Sequence, residues 1–179
     1  MILKIIFLAC GILFWTFLEY IIHRFLGHQN KAKHIIRQEH KRHHAEWDYF
    51  VPMHKKLVLA AVFLGISTLI MSVFFTFSNA LFFSIGLAGM YLIYESAHKL
   101  FHAKEPIIGY GLKMRKHHFY HHFGNPKLNH GVTTAFWDRV FGTYQTVDTL
   151  AVPKNMAMRW LFDTKQNFKQ KYANHFMVK

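Results

Sequence analysis

The chain has 179 residues, 52% of them hydrophobic, with fifteen histidines and a formal charge of +13. That length suits one domain spanning residues 1–179, while the lone Cys10 excludes an internal disulfide and no CxxC pair or secretory cleavage site is visible. The charge does not point to nucleic acid, because the basic residues flank hydrophobic runs and no recognition motif accompanies them; anionic lipid headgroups are the expected partner.

Residues 2–22, ILKIIFLACGILFWTFLEYII, form an apolar run of bilayer length, interrupted only by Lys4 and Glu19 near its ends. Residues 57–77 carry no charge at all, and after a Ser78-Asn79 break a third run continues over 80–97 toward Glu95 and His98. The expected architecture is an all-α integral membrane protein with about three transmembrane helices. Segment 23–56 holds eight Lys and Arg against three acids, and the part after His98 is also strongly basic. By the positive-inside tendency, segments 23–56 and 98–179 face the cytoplasm, the metal-binding parts being 23–56 and 98–150, and residue 79 lies outside. A polar tail, 151–179, follows with no retrieval or lipidation signal.

Histidine recurs in four short patterns: HRFLGH at 23–28, HKRHH at 40–44, HKLFH at 98–102 and HFYHH at 118–122. Each sits at or just beyond an expected membrane exit, so ten imidazoles could converge on one layer. Residues three and four apart on a helix share a face, whereas adjacent ones diverge by about 100°. In HxxHH the outer pair therefore serves one ion and the middle histidine leans toward another. Two such helices facing each other exchange their middle histidines. The spacing predicts one site of His23, His28, His40, His44 and His121 and a second of His43, His98, His102, His118 and His122. His117 then belongs to neither.

Neutral imidazole suits iron, zinc, copper and nickel alike. A closed structural zinc site would want cysteine ligands, and Cys10 lies inside a span. A carboxylate-bridged di-iron bundle lacks its acids, since Glu95-x-x-His98 is the one match to Glu-x-x-His. Haem held by two histidines would need histidine within the spans, and residues 57–97 have none.

The stretches EYIIHRFLGH (19–28), HKRHH, YESAHKLFH (94–102) and HHFYHHFGNPKLNHGVTTAFWDRVFGT (117–143) resemble the fatty acid hydroxylase superfamily of histidine-box di-iron membrane oxygenases. Within it, HxxxH in the third box and the start at Glu19 resemble the fatty acid 2-hydroxylase branch; carotenoid hydroxylases usually space that box as HxxxxH. The resemblance implies a membrane-embedded helical domain whose cytosolic cap holds two iron ions, for which zinc may substitute in purified protein. It implies an iron-dependent lipid monooxygenase, an oxidoreductase using dioxygen and two electrons, with no catalytic residue beyond the metal ligands. The expected product is a 2-hydroxy fatty acyl chain, free or in a ceramide-type lipid. The fused cytochrome b5 domain of many eukaryotic members is not found in the sequence, so the electron donor is expected to be external, cytochrome b5-like or ferredoxin-like. A bacterial inner membrane is expected rather than the endoplasmic reticulum.

Glu19 and Glu95 are placed to accept imidazole N–H bonds and orient ligands, His130 is a possible eleventh ligand, and Trp137 with Asp138 resembles a family motif pinning the cap to the spans. His34, His54 and His175 match no box and are expected at the surface or headgroups. Two other readings stand beside this one: a sterol or carotenoid hydroxylase or desaturase of the same superfamily, and a non-catalytic metal-handling membrane protein. A carrier should show polar groups at membrane depth, which the second and third spans nearly lack.

Overall fold

The computed structural model describes residues 1–29, 34–107 and 109–179, which divide into two compact units. The first comprises Met1–Glu19 and Val51–Ser96, the second Tyr20–Phe50 and Ala97–Lys179. Three helices are long and apolar enough to cross a bilayer. Helix α1 (Ile2–Ile21) passes into a π-helical segment (Ile22–Gln29); the short α2 (Ile35–Ala45) precedes α3 (Met53–Ser72) and α4 (Phe77–Ala103). Each of α1 and α3, at 20 residues, is about 30 Å long, the thickness of a hydrocarbon core.

Within the first unit, Trp15, Ala60, Phe83, Leu87 and Tyr91 form the packed centre, with the Trp15 ring 5.0 Å from Tyr91 and 5.4 Å from Phe63. Helices α1 and α4 touch backbone to backbone. A Cβ on Gly11 would lie 2.0 Å from the Phe83 carbonyl oxygen, and one on Gly86 would lie 2.2 Å from that of Leu8. Small residues permit such an approach where lipid offers no hydrophobic drive between helices. Elsewhere the spans present Leu57, Val58, Ile66, Leu69 and Ile70 outward, as a lipid-facing surface requires.

Two boundaries differ from the sequence expectation. Helix α3 starts at Met53, just after Pro52, rather than at Leu57; the charged Lys56 enters the helix because Glu95 pairs with it at 2.5 Å. Helix α4 absorbs the expected Ser78-Asn79 break. Thr76 directly precedes it, its hydroxyl accepting the Asn79 N–H at 3.5 Å, and the turn falls earlier, at residues 73–76. At its other end α4 runs on through His98 and His102.

The second unit contains the π-helical segment, α2, the end of α4, α5 (Gly109–Phe123), α6 (Phe136–Val140) and two short parallel strands, β1 (Leu150–Val152) and β2 (Phe176–Val178), registered Leu150 to Phe176 and Val152 to Val178. The segment after residue 150, expected as a polar tail, is folded. Met158, Trp160, Leu161, Tyr172 and Phe176 are buried, and the Trp160 indole donates to the Phe101 carbonyl at 2.9 Å. Arg115 ties α5 to the end of α4. Its guanidinium is buried and donates to the carbonyls of Leu100 at 3.2 Å and Lys104 at 3.0 Å, with the Phe101 ring 4.9 Å from it.

Candidate metal centre

Ten histidines of the second unit come together in two groups of five. His23, His28, His40, His44 and His121 form one; His43, His98, His102, His118 and His122 form the other. Within each, one nitrogen per residue lies within 4.8 Å of all the others. Helical geometry produces the division. On α2 the His40 and His44 rings are 4.5 Å apart on one face, while His43 turns away and lies 4.4 Å from His98. On α5 the His118 and His122 rings are 4.5 Å apart, while His121 lies 4.5 Å from His28. The groups adjoin through His44 and His122, whose rings stack at 4.1 Å and 11°.

His23 and His28 need a different device. Residues five apart on an α-helix diverge by about 140°. The segment Ile22–Gln29 is π-helical, however, and i→i+5 bonding brings such a pair back toward one face. Gly27 completes the fit, since a Cβ there would meet the His40 ring at 3.1 Å.

Backbone carbonyls orient several rings. His23 Nδ1 donates to the His130 carbonyl, His121 Nδ1 to that of Leu128 at 2.7 Å, and His43 Nδ1 to that of Tyr49 at 2.9 Å. With its proton on Nδ1, a neutral imidazole presents a bare lone pair at Nε2. The first group then has no complete hydrogen-bond solution. His40 Nε2 is 3.1 Å from His23 Nε2, His28 Nε2 is 2.8 Å from His121 Nε2, and His40 and His28 Nε2 are 2.7 Å from each other. His23 and His121 can only accept there, so His40 and His28 must both donate, and their own contact sets N–H against N–H. A cation accepting every lone pair removes the conflict. In the second group His102 and His118 Nε2 are 2.9 Å apart, and both His122 nitrogens are buried without a hydrogen-bond partner.

The donor set fits an ion. Two imidazole nitrogens on opposite sides of a metal at about 2.1 Å lie about 4.2 Å apart, the scale of each group. Burial, reinforced by the neighbouring imidazoles, holds His40, His118, His121 and His122 well below the ordinary histidine range and His44 at about 3. All therefore keep the neutral form that ligates metal.

The other singled-out residues fall elsewhere. His117 is in neither group; its Nε2 donates to Asp138 Oδ2 at 3.0 Å, and its ring stacks on Tyr144. His130 is buried but outside the five, its Nε2 donating to the Lys127 carbonyl at 3.1 Å while its own carbonyl serves His23. Asp138 bonds within the second unit, to His117, Gly131, His130 and Thr143. Burial opposes its charge, but the bonds from His117 and the Gly131 N–H hold its carboxyl below the usual range. Glu19 and Glu95 belong to the first unit, where Glu19 is buried and Glu95 pairs with Lys56. His34 caps α2, accepting the Arg37 N–H at 3.4 Å; His54 is exposed and His175 half-buried. The carbonyls of Tyr49, Leu128 and His130 were not foreseeable, because every residue type offers one.

A model of the fatty acid hydroxylase family matches residues 8–143. The chain belongs to the fatty acid hydroxylase family. Among curated members, fatty acid 2-hydroxylase of Mus musculus is 34% identical over 145 residues, covering 74% of this chain and 38% of the relative. The ceramide very long chain fatty acid hydroxylase SCS7 of Saccharomyces cerevisiae is 34% identical over 158 residues, covering 77% and 38%. The dihydroceramide fatty acyl 2-hydroxylase FAH1 of Arabidopsis thaliana is 32% identical over 145 residues, covering 76% and 59%. Among solved structures, that of full-length scs7p, in which only the hydroxylase domain is visible, superposes with a TM-score of 0.61 at 25% identity, over 81% of this chain and 57% of that one. The chain thus spans between about two fifths and three fifths of the length of these relatives. Its three apolar helices and its family make it an integral membrane protein.

Proposed function

We propose that this chain is a membrane di-iron monooxygenase that hydroxylates carbon 2 of a fatty acyl chain, free or in a ceramide-type lipid. The reading rests on one observation above the rest: a fatty acid hydroxylase family member that gathers ten imidazoles into two adjoining groups of five. His23, His28, His40, His44 and His121 would hold one iron, and His43, His98, His102, His118 and His122 the other. Bound iron supplies the dioxygen activation and one-electron steps that no side chain performs. The chain's own contribution is geometric. Carbonyls 49, 128 and 130 fix which nitrogen of their partner imidazole carries the proton, and the stacked His44 and His122 rings keep the two groups adjacent. Dioxygen and two electrons from a donor outside these residues complete the reaction. Glu19 and Glu95 are proposed as orienting groups for ligand imidazoles from their places near the first and third histidine patterns in sequence; His23 itself gives its Nδ1 proton to the His130 carbonyl. The basic segments favour a cytoplasmic metal centre.

The test is to purify the protein in detergent, measure iron per chain, and supply a reductant, dioxygen and an acyl or ceramide lipid. Two irons per chain and a 2-hydroxy product are expected. Bound metal without turnover on any lipid class would favour a metal carrier, and turnover on a sterol or carotenoid would move the substrate while retaining the chemistry.

A further inference from the structure

Asp138 is completely buried, yet among the described residues it is in neither histidine group and pairs with no lysine or arginine. Its two oxygens accept four bonds: Oδ1 from the His130 N–H at 2.8 Å and the Thr143 hydroxyl at 2.7 Å, Oδ2 from the Gly131 N–H at 2.8 Å and His117 Nε2 at 3.0 Å. A buried carboxylate is costly and persists where such bonds compensate it. Two of the donors belong to the segment 128–131, whose conformation is unusual. Asn129 sits at φ 57°, in the left-handed region, with its side chain donating to the Gln145 carbonyl at 2.9 Å and accepting the Gln145 N–H at 2.7 Å.

The same segment supplies the Leu128 carbonyl to His121 Nδ1 and the His130 carbonyl to His23 Nδ1. Both recipients belong to the first group, whereas His43 of the second group takes the Tyr49 carbonyl. The carboxylate thus grips the peptide that aims two of five imidazoles at one site. We propose that Asp138 is a positioning residue for the first metal site alone, acting through the carbonyls of Leu128 and His130. The proposal rests on reading the two groups as iron sites.

Single-site backgrounds isolate the effect. His98→Ala leaves the first site intact and His40→Ala leaves the second, each detected as one ferrous ion per chain and titrated against a chelator. Asp138→Asn keeps the shape but turns an amide N–H toward the donors, and it should weaken first-site iron roughly 10- to 100-fold, the usual effect of losing an outer partner of a metal ligand. In the His40→Ala background the same change should alter affinity less than about twofold. His117→Ala, which removes one bond to the carboxylate but leaves its grip on residues 130 and 131, should keep both irons. If Asp138→Asn aggregates, Thr143→Val offers the milder version, with the same expected selectivity for the first site. Equal weakening of both sites, or none at the first, overturns the proposal. A wild-type protein that never takes up two irons overturns the underlying reading instead.

Discussion

His117 and His118 are neighbours in sequence with different surroundings: one ring bonds to Asp138, the other lies among four imidazoles. About 100° of helix rotation separates them. Accordingly His118→Ala, His121→Ala and His122→Ala should each abolish hydroxylation and lower iron content. His117→Ala should retain iron and a substantial part of the activity, at a stability cost of about 1–2 kcal/mol for the lost hydrogen bond. Metal analysis beside product mass spectrometry checks the series; an iron-free His117→Ala with an active His118→Ala would reverse the register. The same burial makes the metal-free protein sensitive to acid. His130 is held at about 4 and His44 at about 3, against an ordinary 6.5. Below 6.5 the unfolded chain takes up protons that these buried rings refuse, so the unfolded state binds more protons and stability falls with pH. Thermal unfolding of chelator-treated protein should therefore shift downward as pH is lowered from about 6.5 to about 4, and a flat profile would show the rings to be hydrated.

At the scale of elements, what the sequence discloses is what depends on spacing. Apolar runs announce α1, α3 and α4, and the offset of three and four in HxxHH announces which face each histidine takes. Less visible is anything set by a partner distant in sequence. Lys56 joins α3 because of Glu95, thirty-nine positions on, and the region after residue 150 reads as polar although Trp160, Leu161 and Phe176 bury themselves there. The π-helical turn that reunites His23 with His28 leaves no sign in hydropathy. Nor do the carbonyls that orient His23, His43 and His121. Arg115 illustrates the consequence, for it holds the end of α4 against α5 by bonding Leu100 and Lys104 carbonyls. Arg115→Met should remove both bonds, leaving the Leu100 carbonyl with the Lys104 N–H alone and the Lys104 carbonyl without its Arg115 donor; it should cost about 2 kcal/mol in unfolding free energy and weaken iron in the second group, where His102 and His118 come from those two helices. Chemical denaturation and chelator competition read the two effects. Unchanged iron affinity would reduce Arg115 to a packing role.

For the whole molecule, the distribution of basic residues sets the proposed orientation in the bilayer. With residues 23–56 and 98–179 proposed on the cytoplasmic side and residue 79 outside, a cysteine introduced at 42 should label only from the cytoplasm and one at 79 only from the opposite side. The reverse pattern would place the histidines on the other face. Fold, site and family meet in the proposal that two five-histidine groups serve oxygen insertion into an acyl lipid. The most direct measurement supplies oxygen-18 gas to cells expressing the chain and follows their lipids by mass spectrometry, with His40→Ala as the control. A single oxygen-18 atom at carbon 2 of an acyl or ceramide-type lipid, present with the wild type and absent with the variant, is the expected result. Label confined to sterols or carotenoids, or absent from all lipids in cells where the protein carries iron, would contradict it.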